Sequence, residues 1–125
     1  MAEPLKVAIA NVTSGSAALD STKWIHWLPG ARRDAINTSA AVALASGTLT
    51  ISTYTTGTTH YTGMISTTGK YLPAYGYLEA RIDYDSSPGM WSAFWMQSPT
   101  MGNPIGSPHS AGTEIDISAH RTSAD

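Results

Sequence analysis

Two carboxylates lie close together in the segment Gly-Thr-Glu-Ile-Asp-Ile at residues 112–117. Because successive side chains of a β-strand point to opposite faces, Glu114 and Asp116 share one face, and Ile115 and Ile117 share the other. We expect one face to carry chemistry and the other to join a core. Two acids on one face repel each other, so a third group or a ligand is needed to stabilise them. Taken alone, the pattern fits an exposed acidic strand face better than a catalytic site.

A second predicted strand, residues 90–97, brings large aromatic rings close to the acids in sequence. One of its faces carries Trp91, Ala93, Trp95 and Gln97. Because Phe94 and Met96 point the opposite way, each face needs a cover, either protein or sugar. Indole rings stack on the C–H faces of pyranoses, and carboxylates bind sugar hydroxyls. Trp91 and Trp95 therefore indicate a carbohydrate groove, and an aromatic core layer is the alternative.

The upstream sequence predicts more strands to support this pair. Residues 42–53 alternate apolar with small or polar side chains around a Ser-Gly turn, which indicates a hairpin. A turn at residues 55–59 leads to a strand over 60–66. Residues 77–84 alternate most regularly of all. Residues 98–112, rich in proline and glycine, form a long loop of the kind that rims a binding site.

Composition excludes several classes of function. The net charge is -2, the charged fraction is 13% and no run of Lys or Arg occurs, so we expect neither nucleic acid nor a membrane surface as a partner. Cysteine is absent, which excludes disulfides, a thiol nucleophile and cysteine-bound zinc. No stretch approaches the ~18 apolar residues of a membrane span. A neutral or mildly polar partner fits best.

Three motifs then occur in an order typical of one family. They are Tyr-Gly-Tyr-Leu-Glu-Ala-Arg-Ile at 75–82, Gly-Met-Trp-Ser-Ala-Phe-Trp-Met at 89–96 and Gly-Thr-Glu-Ile-Asp-Ile at 112–117. Together they strongly resemble glycoside hydrolase family 16. The segments 19–24 and 47–51 resemble the N-terminal region of that family, so the likeness extends over residues 19–121.

The resemblance implies an all-β, concanavalin A-like jelly-roll sandwich with a polysaccharide cleft, and retaining endo-hydrolysis of β-glycosidic bonds. By the family's bulged signature, Glu-x-Asp-x-x-Glu, Glu114 is the nucleophile and Asp116 the auxiliary carboxylate. The acid/base glutamate belongs at position 119, where this chain has Ala119. The resemblance therefore implies an impaired enzyme. The alanine is either an introduced substitution, which the otherwise intact motif favours, or the mark of a naturally inactive copy.

The signature spacing has a physical reason. Position 119 is five residues beyond Glu114, and an odd offset places a side chain on the wrong face of a regular strand. One bulge residue restores it to the cleft, and we expect that bulge at Ser118 and Ala119. As substrate-binding residues we assign Trp91 and Trp95, and further the polar side chains of Asn37 and Arg33.

A second departure from the family is length. All-β sandwiches can run about 200–250 residues as one domain, so we expect residues 1–125 to be the N-terminal half of a single jelly-roll domain. Such a half exposes unpaired strand edges and an apolar face. We therefore expect it to need a second chain with the C-terminal half, or self-association.

The remaining expectations concern cofactors, location and alternatives. The chemistry needs no cofactor, and a structural calcium, common among relatives, is not assignable because the acids form no loop of calcium-ligand spacing. Secretion or a periplasmic location is implied because polymeric glycans lie outside cells. The bulged motif resembles laminarinase, agarase, porphyranase and carrageenase relatives more than lichenases or xyloglucan transferases. The alternatives are a non-catalytic, lectin-like carbohydrate-binding module and an assembly fragment whose acidic strand is only a sheet face.

Overall fold

The computed structural model describes residues 5–8, 21–28, 30–101 and 108–123. Within these ranges the chain forms twelve β-strands, one 3-10 turn and one α-helix of four residues. The predicted all-β class is confirmed, and the several sheets are consistent with part of a jelly roll. The chain divides into an N-terminal unit, Met1–Asp83, and a C-terminal unit, Tyr84–Asp125. None of the described helical residues belongs to a segment long and apolar enough to cross a membrane.

One four-stranded sheet of the N-terminal unit is built around a tight hairpin. Its strands are β1 (Leu5–Ala8), β5 (Val42–Ala45), β6 (Thr48–Ile51) and β10 (Arg81–Asp83), in the spatial order β10-β1-β6-β5, and all neighbours are antiparallel. Ser46 and Gly47 connect β5 to β6 with φ values of 49° and 75°. Positive φ at both central residues is typical of the hairpin turn whose twist matches the strands. The hairpin predicted for residues 42–53 is therefore confirmed.

The second four-stranded sheet mixes parallel and antiparallel pairs. Its strands are β3 (Ala31–Arg32), β4 (Ala35–Asn37), β7 (Tyr54–Thr56) and β8 (Thr59–Thr62), in the order β3-β4-β8-β7, with β4 parallel to β8. Tyr54 and Tyr61 stack across β7 and β8 with ring centroids 5.1 Å apart. A separate pair joins β2 (Ile25–His26) to β9 (Ile65–Ser66). The turn expected at residues 55–59 is the two-residue connection between β7 and β8.

The core of the N-terminal unit lies beside the β5–β6 hairpin. Leu49 and Ala41 are buried, with 1% and 2% of their surface exposed. Gly63 packs so closely here that a Cβ atom would lie 2.7 Å from Cγ2 of Val42 and 3.1 Å from Cγ2 of Ile51. The chain after β8 therefore contacts the hairpin, and the absence of a side chain at position 63 permits that contact.

The strand predicted for residues 77–84 is mostly wrong. Only Arg81–Asp83 forms a strand, at the edge of its sheet, and residues 71–80 lie outside any strand. The large side chains exposed in this segment are Tyr71, Leu72, Tyr75, Tyr77 and Leu78. Alternation identifies which side of a strand faces a core, but a strand also needs a hydrogen-bonded partner. In the described part of the chain, Arg81–Asp83 are the residues of this segment that pair with β1.

The C-terminal unit is a long hairpin of β11 (Trp91–Gln97) and β12 (Glu114–Arg121). A helix, α1 (Pro108–Ala111), lies in the connection, of which residues 102–107 are outside the described part. Thr122 joins the two strands at the end of the hairpin where β11 begins and β12 ends. Its hydroxyl donates to the carbonyl of Ser87 and accepts from the N–H of Met90 at 3.0 Å, and its own N–H donates to the carbonyl of Met90 at 2.9 Å.

The turn before β11 is held by a carboxylate. The Asp85 carboxylate accepts hydrogen bonds from the hydroxyl of Ser87 and from its backbone N–H, the latter at 2.8 Å. These two contacts, the hydroxyl first, lower the pKa of the Asp85 carboxyl below its usual value. Hydrogen bonds to the charged form favour that form. The turn and Thr122 together define where β11 begins.

Candidate functional site

The register of β11 against β12 determines which side chains share a face. Directly opposite residues of an antiparallel pair point to the same side. The pairs of interest are Trp91 with Arg121, Ala93 with Ala119, Trp95 with Asp116 and Gln97 with Glu114. We call the surface formed by these eight residues the Trp–Glu face. It brings together five of the seven predicted site residues: Trp91, Trp95, Glu114, Asp116 and Ala119.

A β-bulge makes this arrangement possible. Phe94 pairs with Ser118 and Trp95 with Asp116, so Ile117 is the extra residue of β12. Without it, the odd offset from Glu114 would turn Ala119 to the opposite side. The bulge was expected at Ser118 and Ala119, and that position is wrong. Any extra residue between Asp116 and Ala119 produces the same faces, so side-chain parity alone does not locate it.

The Trp–Glu face is accessible to solvent. Seven of its residues are exposed and Trp95 is half-buried. Trp91, with 50% of its surface exposed, combines a large apolar ring with open access. At the centre of the face two alanines, Ala93 and Ala119, lie opposite each other. Short side chains here leave room between the tryptophans at the position where the family signature has a glutamate.

The opposite face of the hairpin is only partly covered. Ser92 is buried, and the ring of Tyr84 stacks on His120 with centroids 5.5 Å apart and an interplanar angle of 13°. Ile115 and Ile117 were expected in a core, but 52% and 40% of their surfaces are exposed. That expectation is wrong for this structure, because strand side chains are buried only where a second layer packs on them.

Asn37 and Arg33 belong to the N-terminal unit. Asn37 ends β4 and is only 7% exposed, and neither Nδ2 nor Oδ1 has a hydrogen-bond partner in the described part of the chain. A buried amide without partners is unusual, because its desolvation is not compensated. Arg33 is exposed in the two-residue turn between β3 and β4, with φ of 56°. Their assignment to substrate binding stays a prediction.

Arg121 is a residue of this face that sequence reasoning missed. Its guanidinium carbon lies 5.3 Å from the centroid of the Trp91 ring, a distance typical of a cation–π contact. The signal was present in the sequence, because position 121 is two residues beyond position 119 and so has the same parity. The family signature covers residues 114–119 and therefore does not include Arg121.

The chemistry available on the Trp–Glu face is that of carboxylates beside indoles. Two acids share it, so one can attack while the other polarises or orients. In the described ranges, no cluster of three or more His, Asp or Glu side chains is placed to hold a metal ion. The face therefore offers two carboxylates and two indole rings, and it has alanine at the position where the family signature has a glutamate.

Comparison with known proteins gives one match. The family model described as "Glycosyl hydrolases family 16" matches residues 30–121, which is most of the chain. The matched range contains β3 to β12 and every predicted site residue. The searches of curated proteins and of solved structures found no match.

Proposed function

Because the chain belongs to family 16 of the glycosyl hydrolases, we propose that the Trp–Glu face binds a β-linked polysaccharide in the geometry of an endo-acting, retaining hydrolase. In this chain the reaction is blocked at the acid/base step by Ala119. The observation that carries the proposal is the register: Glu114, Asp116 and Ala119 share one exposed face with Trp91 and Trp95.

The proposed roles follow from double displacement. A carboxylate oxygen of Glu114 attacks the anomeric carbon, and a glycosyl ester forms as the bond to the leaving sugar oxygen breaks. An acid at position 119 gives its proton to that oxygen and then takes one from water, which attacks the anomeric carbon and releases Glu114. The two carboxyls must lie about 5–5.5 Å apart for retention. The methyl group of Ala119 can neither give nor accept a proton.

Asp116 has a positioning role in this proposal. It lies on the same face as Glu114, two residues further along β12, and opposite Trp95. From this position Asp116 orients Glu114, while the ring of Trp95 offers an apolar surface to the sugar.

Replacing Trp95 with alanine tests the binding part of the proposal. Loss of a central aromatic anchor is expected to weaken oligosaccharide binding by roughly tenfold or more. Trp95→Phe keeps a ring and should recover part of the affinity. Calorimetric titration with β-glucan and β-galactan oligosaccharides gives the measurement.

Ile115→Ala is the matched control for Trp95→Ala. It also truncates a large side chain of the hairpin, but Ile115 pairs with Met96 and so lies on the opposite side. We expect its binding to stay close to that of the unmodified chain. Equal affinities for Trp95→Ala and Ile115→Ala would argue against a glycan site on the Trp–Glu face.

A lectin-like module is the second candidate function. Ala119 favours it, because a face that binds glycan and has no acid/base group is what such a module requires. The two candidates share the binding surface and differ only in whether the remaining groups support catalysis once a carboxylate occupies position 119. The exchange of Ala119 for glutamate therefore separates them.

The proposal extends to how the sandwich is completed. Tyr75 and Tyr77 are 97% and 85% exposed, and Ile115 is 52% exposed. Apolar side chains so accessible, next to an edge strand, support completion by further strands. We propose that another copy of this chain, or a second polypeptide with complementary strands, supplies them.

Size-exclusion chromatography with light scattering, followed by urea unfolding, tests this completion. We expect either a multiple of the single-chain mass or a monomer that unfolds without cooperativity, because an uncovered sheet face gives little stability. The first result supports self-association, and the second supports a separate complement. A cooperatively folding monomer would contradict both.

A further inference from the structure

We infer that Arg121 makes the Trp–Glu face selective for glycans with an anionic substituent, a sulfate ester or a uronate carboxylate, on the sugar unit bound beside Trp91. This inference rests on the proposed function, because it presupposes that the face binds a glycan. It adds the chemical class of the ligand and the residue that recognises it.

The first argument is the state of the Arg121 side chain. It is exposed, and its guanidinium lies over the indole of Trp91, opposite it in the hairpin. An aromatic ring attracts the cation without neutralising it. In the described part of the chain no carboxylate forms an ion pair with Arg121. The positive charge is therefore held in place and remains available to a ligand.

The second argument is the order of charges along the face. Glu114 and Asp116 lie toward the Gln97 end, and Arg121 lies at the Trp91 end. Trp95 lies four positions beyond Trp91 on β11, which at ~3.3 Å per residue is about 13 Å. This exceeds the Debye length of about 8 Å at physiological ionic strength. An anion beside Arg121 is thus screened from the acids, and a neutral sugar fits better at the Gln97 end.

The third argument is the geometry of the guanidinium group. It is planar, permanently charged and able to donate two parallel hydrogen bonds to the oxygens of a carboxylate or sulfate. Contact with the Trp91 ring restricts its rotamers before the ligand arrives, which lowers the entropic cost of binding. A neutral hydroxyl offers no comparable partner. The end of the face at Arg121 is therefore suited to an anion.

Pairs of ligands that differ only in charge test the inference. One pair is a sulfated β-galactan oligosaccharide and its desulfated form, and the other is a uronate-containing β-glucan oligosaccharide and its carboxyl-reduced form. Calorimetry on the full chain is expected to give a ten- to hundredfold preference for the charged member of at least one pair, as charge-assisted hydrogen bonds imply. The pair that shows the preference identifies the anion.

Arg121→Gln should bring that preference close to one and reduce its dependence on salt concentration, because the cation is gone. Arg81→Gln is the matched control. It removes another exposed arginine, one that lies in β10 of the N-terminal unit, and it should leave the preference unchanged.

Three outcomes overturn the inference. If the unmodified chain binds both members of each pair equally, it has no selectivity for anionic glycans. If Arg121→Gln keeps the preference for the charged member, a residue other than Arg121 causes that preference. Neither result contradicts the proposed function, because the chain still binds glycan in both cases. If no oligosaccharide binds at all, whatever its charge, the proposed function fails together with the inference.

Discussion

Replacing Ala119 with glutamate is expected to produce glycan hydrolysis at least 10²–10⁴-fold faster than that of the unmodified protein, the usual contribution of general acid/base catalysis. The bulge at Ile117 already turns position 119 to the same face as Glu114. Ala93, opposite, leaves space for the longer side chain. Release of reducing ends from laminarin, mixed-linkage glucan, agarose, porphyran and carrageenan measures the gain, and proton NMR of early products reports retention.

Two further variants make this prediction specific. Ala119→Gln has nearly the volume and hydrogen-bonding capacity of glutamate but no transferable proton, so it should stay inactive. Glu114→Gln combined with Ala119→Glu removes the nucleophile and should abolish the gain. If Ala119→Glu binds glycan and remains inert on all five polymers, the lectin-like module is the better account.

Gly112→Ala is expected to destabilise the C-terminal unit by about 2–6 kcal/mol. Gly112 has φ of 76°, and a Cβ atom there would lie 2.2 Å from Oγ and 2.3 Å from Cβ of Ser98. A left-handed conformation costs a non-glycine residue on the order of 1–3 kcal/mol, and overpacking costs a similar amount. Urea unfolding followed by tryptophan fluorescence measures the loss.

Glycan binding should fall in the same variant. The N–H of Ser98 donates to the carbonyl of Thr113 at 2.9 Å, the contact just before Glu114. Displacement of Ser98 therefore moves the start of β12. Gly69→Ala separates the cost of the left-handed backbone from the cost of the clash with Ser98. Gly69 has φ of 71°, and nothing lies within 4 Å of the added Cβ. This substitution should cost only about 1–3 kcal/mol, and equal losses for both variants would show that the clash with Ser98 is relieved.

Features that depend on local side-chain parity could be predicted from the sequence. The alternation of residues 42–53 around Ser46 and Gly47 specified both the hairpin and its turn, because period-two patterning and positive-φ residues act within a few positions. The placement of Ala119 on the face of Glu114 came from the family resemblance, which implies one bulge in an otherwise alternating strand. Neither conclusion needed knowledge of distant contacts.

Features that depend on a partner could not be predicted in this way. Residues 77–80 alternate as a strand should, yet they form no strand, because alternation alone does not provide a hydrogen-bonded partner. Ile115 has the pattern of a core residue and is exposed, because burial requires a second layer. The parity of Arg121 places it on the face of Ala119, but its position opposite Trp91 depends on the cross-strand register and could not be predicted.

The extra residue at Ile117 has a consequence for insertions and deletions in this strand. If it were removed, the chain would read Glu-Ile-Asp-Ser-Ala, with an even interval of four from the first glutamate to the alanine, and a plain ladder would still present all three positions on one side. A single-residue deletion at Ile117 therefore leaves Glu114, Asp116 and Ala119 on one face. A deletion between Glu114 and Asp116 would instead turn these two carboxylates to opposite faces. The strand can change length at one place and keep the reacting groups aligned.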